Sequence, residues 1–97
     1  MNENMVITIC GGERFPDLVI SEYVRLTELG YIVLMPAIDC EARSKEWYLD
    51  LHCKKIAMSN AIFVIDKSGY ISESTQLEID KAKALGKIVY RWSRNDI

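Results

Sequence analysis

Between Asp66 and Ala82 the chain reads DKSGYISESTQLEIDKA, a stretch with four carboxylates, a Gly-Tyr pair and a cluster of hydroxyls, directly after the apolar run AIFVI. Grouped carboxylates suit a particular chemistry. One attacks an electron-poor carbon as positive charge builds on it, while another, holding its proton, assists the leaving group. Asp66, Glu73 and Glu78 are the catalytic candidates, ranked Glu78 over Asp66 over Glu73. Gly69 permits close backbone approach and Tyr70 offers a flat face to a planar ligand. Ser72 and Ser74 add hydroxyls at the same end of the segment.

The same residues also read as plain structure. "TQLE", Thr75 to Glu78, has the form of a capping box in which Thr75 caps a helix and Glu78 reaches back to its amide. Asp66 reads equally as a loop aspartate bonded to its own backbone. A second candidate loop is "GGERF": Gly11 and Gly12, between a strand and a helix, let backbone N–H groups point at an anion. Arg14 adds a guanidinium fork and Phe15 an aromatic ring. It lacks both the Walker spacing and GxGxxG, and a tight turn with a surface arginine describes it as well.

Positioning these groups requires an ordered scaffold. "VITIC" (Val6 to Cys10) is a β-branched run stopped by the glycine pair. Pro16 and Asp17 suit a first helical turn, and Leu18, Val19, Tyr23, Val24, Leu26 and Leu29 recur at helical spacing until Gly30, which predicts a helix over 16–29. "YIVLMP" is a second strand ended by Pro36. Residues 44–60 form a second helix with apolar positions spread around it, AIFVI (61–65) a third strand, Glu73 or Thr75 through Leu85 a third helix, and Ile88 to Arg91 a fourth strand. Strands that are continuously apolar and alternate with helices predict a small doubly wound α/β fold, flavodoxin-like or Rossmann-like: a parallel sheet of about four strands in the order 2-1-3-4, with helices on both faces. Ligands in such folds sit beyond the carboxyl ends of the strands at the switch point, here between strands one and three. Asp66 is expected to face that cleft.

Residues 1–97 read as one domain, and composition narrows its class. With 49% hydrophobic and 27% charged residues the chain is an ordinary globular sequence, without an apolar run of the length needed to span a bilayer or a leader-like N-terminus. A cytoplasmic protein that binds no membrane is expected. A net charge of −2, with no basic stripe, argues against nucleic-acid binding. Cys10, Cys40 and Cys53 are odd in number and lack CxxC spacing, so neither a disulfide framework nor a zinc motif is expected, although Cys40, His52 and Cys53 have the donor types for one. His52 reads as a surface or partly buried helix residue without a catalytic role. The size suggests a homo-oligomer, with Trp47, Tyr48 and Trp92 as anchors or, more simply, as core and shielding residues.

"ITICGGERF", "GYIVLMPA" and "LHCKKIAMSNAIFVIDKSGYISESTQLEIDKAKALGK" together resemble the nucleoside 2-deoxyribosyltransferase superfamily, particularly its small bacterial and phage members. The resemblance implies the same doubly wound fold and cleavage of the N-glycosidic bond of deoxynucleosides or their monophosphates, the sugar passing to another base or to water. It implies that Glu78 is the nucleophile and that Asp66 handles the base or a sugar hydroxyl. Gly11, Arg14 and Phe15 match the first ligand loop. A nucleoside or nucleotide is the implied partner, no metal or organic cofactor is required, and a neighbouring subunit is expected to complete the cleft. The family pattern has an aspartate where this chain has Ser72, which leaves a non-catalytic nucleotide-binding or sensing module of the same fold as the alternative.

Overall fold

Four apolar runs become four parallel strands. The computed structural model describes residues 4–97. In chain order it contains β1 (Val6–Gly11), α1 (Pro16–Glu28), β2 (Ile32–Leu34), α2 (Lys45–Ala57), β3 (Ala61–Ile65), α3 (Glu73–Ala84) and β4 (Ile88–Arg91), with short 3-10 turns at Lys67–Gly69 and Trp92–Arg94. The sheet order is β2-β1-β3-β4, as the sequence predicts. β1 and β3 lie at its centre in the register Ile7↔Ala61 to Gly11↔Ile65, which brings the loops that follow them side by side.

The central strands β1 and β3 are buried on both faces, and alternation sorts their side chains into two cores. Ile7, Ile9, Ala61, Phe63 and Ile65 pack with Val19 and Leu26 of α1 on one face. Cys10, Ile62 and Val64 pack with Ile56 of α2 and with Ile79 and Ala82 of α3 on the other. Each fully buried aliphatic or aromatic side chain contributes roughly 1.5–3 kcal/mol of transfer free energy. Trp92 packs against the α1 core, which fits the shielding role read from the sequence. Trp47 is 44% exposed, and its ring meets Tyr48 edge-on at 5.3 Å.

Local signals explain the element ends. Pro16 opens α1, where its missing N–H has no helical partner to lose. Ser44 caps α2 by accepting from the Trp47 N–H, and Lys54 and Lys55 in the last turn suit the negative end of the helix dipole. The cap of α3 corrects the sequence reading. It is Ser72, not Thr75, whose hydroxyl accepts from the Thr75 N–H at 3.1 Å. The helix therefore begins at Glu73, and Glu78 lies in its second turn with its side chain free for other work. Ser72→Ala is expected to cost about 1 kcal/mol, read as a lower urea midpoint at unchanged m-value.

His52, read as a surface or partly buried helix residue, is more deeply enclosed than that and is buried. It lies four residues before Ile56 on α2, so both point at the sheet. No helix among the described residues is long and apolar enough to cross a membrane. All three cysteines are free thiols.

Candidate active site

A cleft of about 870 Å³ opens at the carboxyl edge of the sheet. Its walls are Gly11 to Glu13 and Pro16 around the β1–α1 loop, the segment Pro36 to Asp39 after β2, the face of α2 from Lys45 to His52, and the N-terminal half of α3 with Tyr70 before it. This is the switch point at which neighbouring connections leave to opposite faces.

Gly11 and Gly12 shape the floor. Both adopt positive φ, +78 and +79, and the turn is closed by the Phe15 N–H donating to the Gly12 carbonyl at 2.8 Å. A Cβ on Gly11 would come within 3.2 Å of the Ile65 carbonyl and 3.3 Å of Thr75 Cγ2. Gly11 thus lets the start of α3 pack against the end of β1.

Three elements converge at the floor. Cys10 from the end of β1, His52 from the middle of α2 and Glu78 from α3 are 0%, 6% and 9% exposed. Cys10 Sγ lies 3.3 Å from His52 Nε2, and His52 Nε2 lies 3.7 Å from Glu78 Oε1. Burial pushes the Glu78 carboxyl up to about 7 and the negative charge of Glu13 adds to this, while the Cys10 thiol, donating toward it, partly offsets the rise. Burial, together with the charge of Lys55, drops the His52 imidazole to about 4. Near neutral pH the imidazole is uncharged, so its 3.7 Å contact with Glu78 is not an ion pair. Burial, then the nearby Glu78, raises the Cys10 thiol well above its ordinary value.

The candidates read from sequence divide into two groups. Glu78, Glu73, Gly11, Gly12, Tyr70, Ser72 and Ser74 line the cleft. Asp66, Arg14, Phe15 and Gly69 are not among its lining residues. Asp66 turns away from the cleft it was expected to face. Its Oδ1 accepts from the Ser93 N–H at 2.8 Å, its Oδ2 from the Ser93 hydroxyl at 2.6 Å, and Arg91 stands 3.6 Å off. Arg14 stacks its guanidinium over the Tyr70 ring at 3.9 Å, and Lys67 lies over Phe15 at 5.2 Å, so two cation–π contacts join the loops after β1 and β3. Gly69 has φ +72 with no atom near the place of a Cβ, so it serves the turn and not a close approach.

The clasp at Asp66 has a pH signature. Burial opposes its charge, but the two Ser93 hydrogen bonds and Arg91 outweigh burial and hold the carboxyl below its ordinary value. A depressed folded-state value contributes stability that is present above the unfolded value and lost as pH falls through the folded one. The melting temperature of Asp66→Asn is therefore expected to lie furthest below wild type near neutral pH, the gap closing as pH falls below about 4. A gap of constant size from pH 6 to pH 2 would show that the charge is not what stabilises the clasp.

Cys10, His52 and Glu13 belong to the site but were not singled out as site residues by the sequence reading. Cys10 sits at the carboxyl end of β1, directly before the glycines, and His52 shares a helix stripe with Ile56; those placements are the signals that could have found them.

Two solved structures have this architecture. The 2-deoxyribosyltransferase of the psychrotolerant bacterium Bacillus psychrosaccharolyticus superposes with a TM-score of 0.72 at 23% identity, covering 89% of this chain and 70% of its own. The 2-deoxyribosyltransferase of Leishmania mexicana superposes with a TM-score of 0.69 at 22% identity, covering 90% of this chain and 63% of its own. These likenesses establish a shared fold. A search of curated protein sequences finds no match. The family model described as "Domain of unknown function (DUF4406)" matches residues 19–91, most of the chain, and the protein belongs to that family.

Proposed function

We propose that the protein cleaves or transfers the N-glycosidic bond of deoxynucleosides, with Glu78 as nucleophile. The observation that carries this reading is a single buried carboxylate at the floor of a nucleoside-sized cleft, at the switch point of a fold shared with 2-deoxyribosyltransferases.

In the first step a Glu78 oxygen bonds to the anomeric carbon as the carbon–nitrogen bond breaks, and the base departs with a proton supplied by an acid. Glu73 takes the acid role, because it lines the cleft whereas Asp66 is engaged by Ser93. In the second step a base or water attacks the same carbon and frees Glu78. Tyr70, backed by Arg14, stands at the rim as a stacking surface for the base.

Charge favours an uncharged substrate. Glu13, Asp39, Glu46, Glu73 and Glu78 line the cleft against Lys45 as the one cationic side chain among its lining residues. Arg14, which would otherwise favour a monophosphate, lies over Tyr70 outside that lining. Deoxynucleosides are therefore expected to be preferred over their monophosphates. Incubation with each, with and without a free acceptor base, tests this: base release or exchange is expected with deoxynucleosides, and the absence of both from every substrate would refute the reading.

The second reading is a module that binds nucleosides without turnover. The commitment of Asp66 to Ser93, and of Ser72 to capping α3, favours it, because both leave the cleft with fewer free polar groups for the base. Saturable binding without turnover, at an affinity unchanged by Glu78→Gln, would select this reading.

A further inference from the structure

We propose that Cys10, His52 and Glu78 form a binding site for a divalent transition-metal ion of the zinc class, and that occupancy holds the cleft inactive. The ligand atoms, one thiol sulfur, one imidazole nitrogen and one carboxylate oxygen, all lie within 4.8 Å of one another. Bond lengths of about 2.3 Å to sulfur and about 2.0–2.2 Å to nitrogen and oxygen give a tetrahedron with edges of about 3.3–3.6 Å. The separations of 3.3 Å for Cys10 to His52 and 3.7 Å for His52 to Glu78 lie close to two of those edges, so small side-chain adjustments would close the ion's shell. Three protein ligands leave one corner for water, and His52 and Glu78 both line the cleft, which supplies the water and a route in.

The donor set selects the ion. Thiolate and imidazole favour zinc, cobalt or copper over magnesium and calcium, which take oxygen ligands. The three side chains come from β1, α2 and α3, each fixed by its own element, so the site is formed before the ion arrives. The cleft carboxylates Glu13, Asp39, Glu46 and Glu73 draw cations toward it. His52 coordinates through Nε2 in the tautomer protonated on Nδ1, and binding releases the Cys10 proton to solvent. Cys40 and Cys53, the thiols that sequence alone would pair with His52, lie outside the cluster. The metal site stands on this geometry by itself. Inactivation rests also on the role proposed for Glu78, whose carboxylate the ion would occupy.

Cobalt(II) titration of the metal-free protein tests the site without any assay of turnover. Visible bands of four-coordinate cobalt and a near-ultraviolet thiolate-to-cobalt charge-transfer band are expected, saturating at one equivalent and bleached by zinc. Cys10→Ser is expected to remove the charge-transfer band, Cys53→Ser to retain it, and His52→Gln to weaken binding by at least about a hundredfold. Circular dichroism checks that each variant folds; should Cys10→Ser not fold, the His52→Gln titration decides alone. No charge-transfer band, or one that survives Cys10→Ser, overturns the site. In the base-release assay, zinc is expected to suppress turnover and a chelator to restore it. Turnover unaffected by saturating zinc overturns the inactivation. A cobalt spectrum from a protein that releases no base under any condition upholds the site and overturns the transfer reading together with the inactivation that rests on it.

Discussion

Glu78→Gln is expected to slow base release from deoxynucleosides by at least about a thousandfold, the scale on which removal of a covalent nucleophile acts. The amide keeps the volume and hydrogen-bonding reach of the carboxyl but cannot form the glycosyl ester. The fold should be untouched, because Glu78 neither caps α3 nor carries a network on which the helix depends. The comparison with Asp66→Asn sharpens the test. Asp66 is buried beside the same loops but faces Ser93, so its variant should lose stability while keeping turnover within about tenfold once folded. Single-turnover release measured on both variants separates the roles. Equal losses in the two would mean that Glu78 acts as part of the scaffold.

The largest expected loss of stability is at Gly12. Its φ of +79 disfavours any side chain by about 1–2 kcal/mol, and a Cβ there would stand 2.6 Å from Val19 Cγ2. Val19 is fully buried in the α1 core and has nowhere to retreat, which adds about 1–3 kcal/mol of overpacking. Gly12→Ala is therefore expected to lose about 3 kcal/mol, a drop in melting temperature of about 12–20 °C for a chain of this size. Gly69→Ala is the control. Its φ is also positive, +72, but a Cβ would meet nothing within 4 Å, so only the backbone penalty of about 1 kcal/mol remains. If the two variants melt together, close packing against Val19 is not what requires a glycine at position 12.

The scaffold was legible because its signals are local. A strand covered on both faces must be apolar throughout, as VITIC and AIFVI are, and Pro16, Gly30 and Gly86 mark helix ends at the chain positions where they act. Those signals gave the strand order and the cleft edge. The site was legible only in part, because its remaining partners meet through the fold. Asp66 and Ser93 are 27 residues apart, and Cys10 and His52 are 42 apart. No spacing rule pairs them. The misplaced cap has a different cause: Ser72, Ser74 and Thr75 are all competent caps, and the choice fell to Ser72, whose hydroxyl also bonds Thr75 Oγ1 at 2.8 Å.

The pairing of β1 with β3 at the centre of the sheet also bears on how the cleft comes into being. Every pair in the sheet is parallel, so the sheet cannot grow by local hairpins; β1 with β2 and β3 with β4 each close one helical crossover, whereas joining the two central strands closes a loop that includes α1, β2 and α2. Glu78 lies further along the chain still. A chain emerging from the ribosome would thus expose both central strands before it held the floor of the cleft, and β4 with the Ser93 clasp on Asp66 would follow later still.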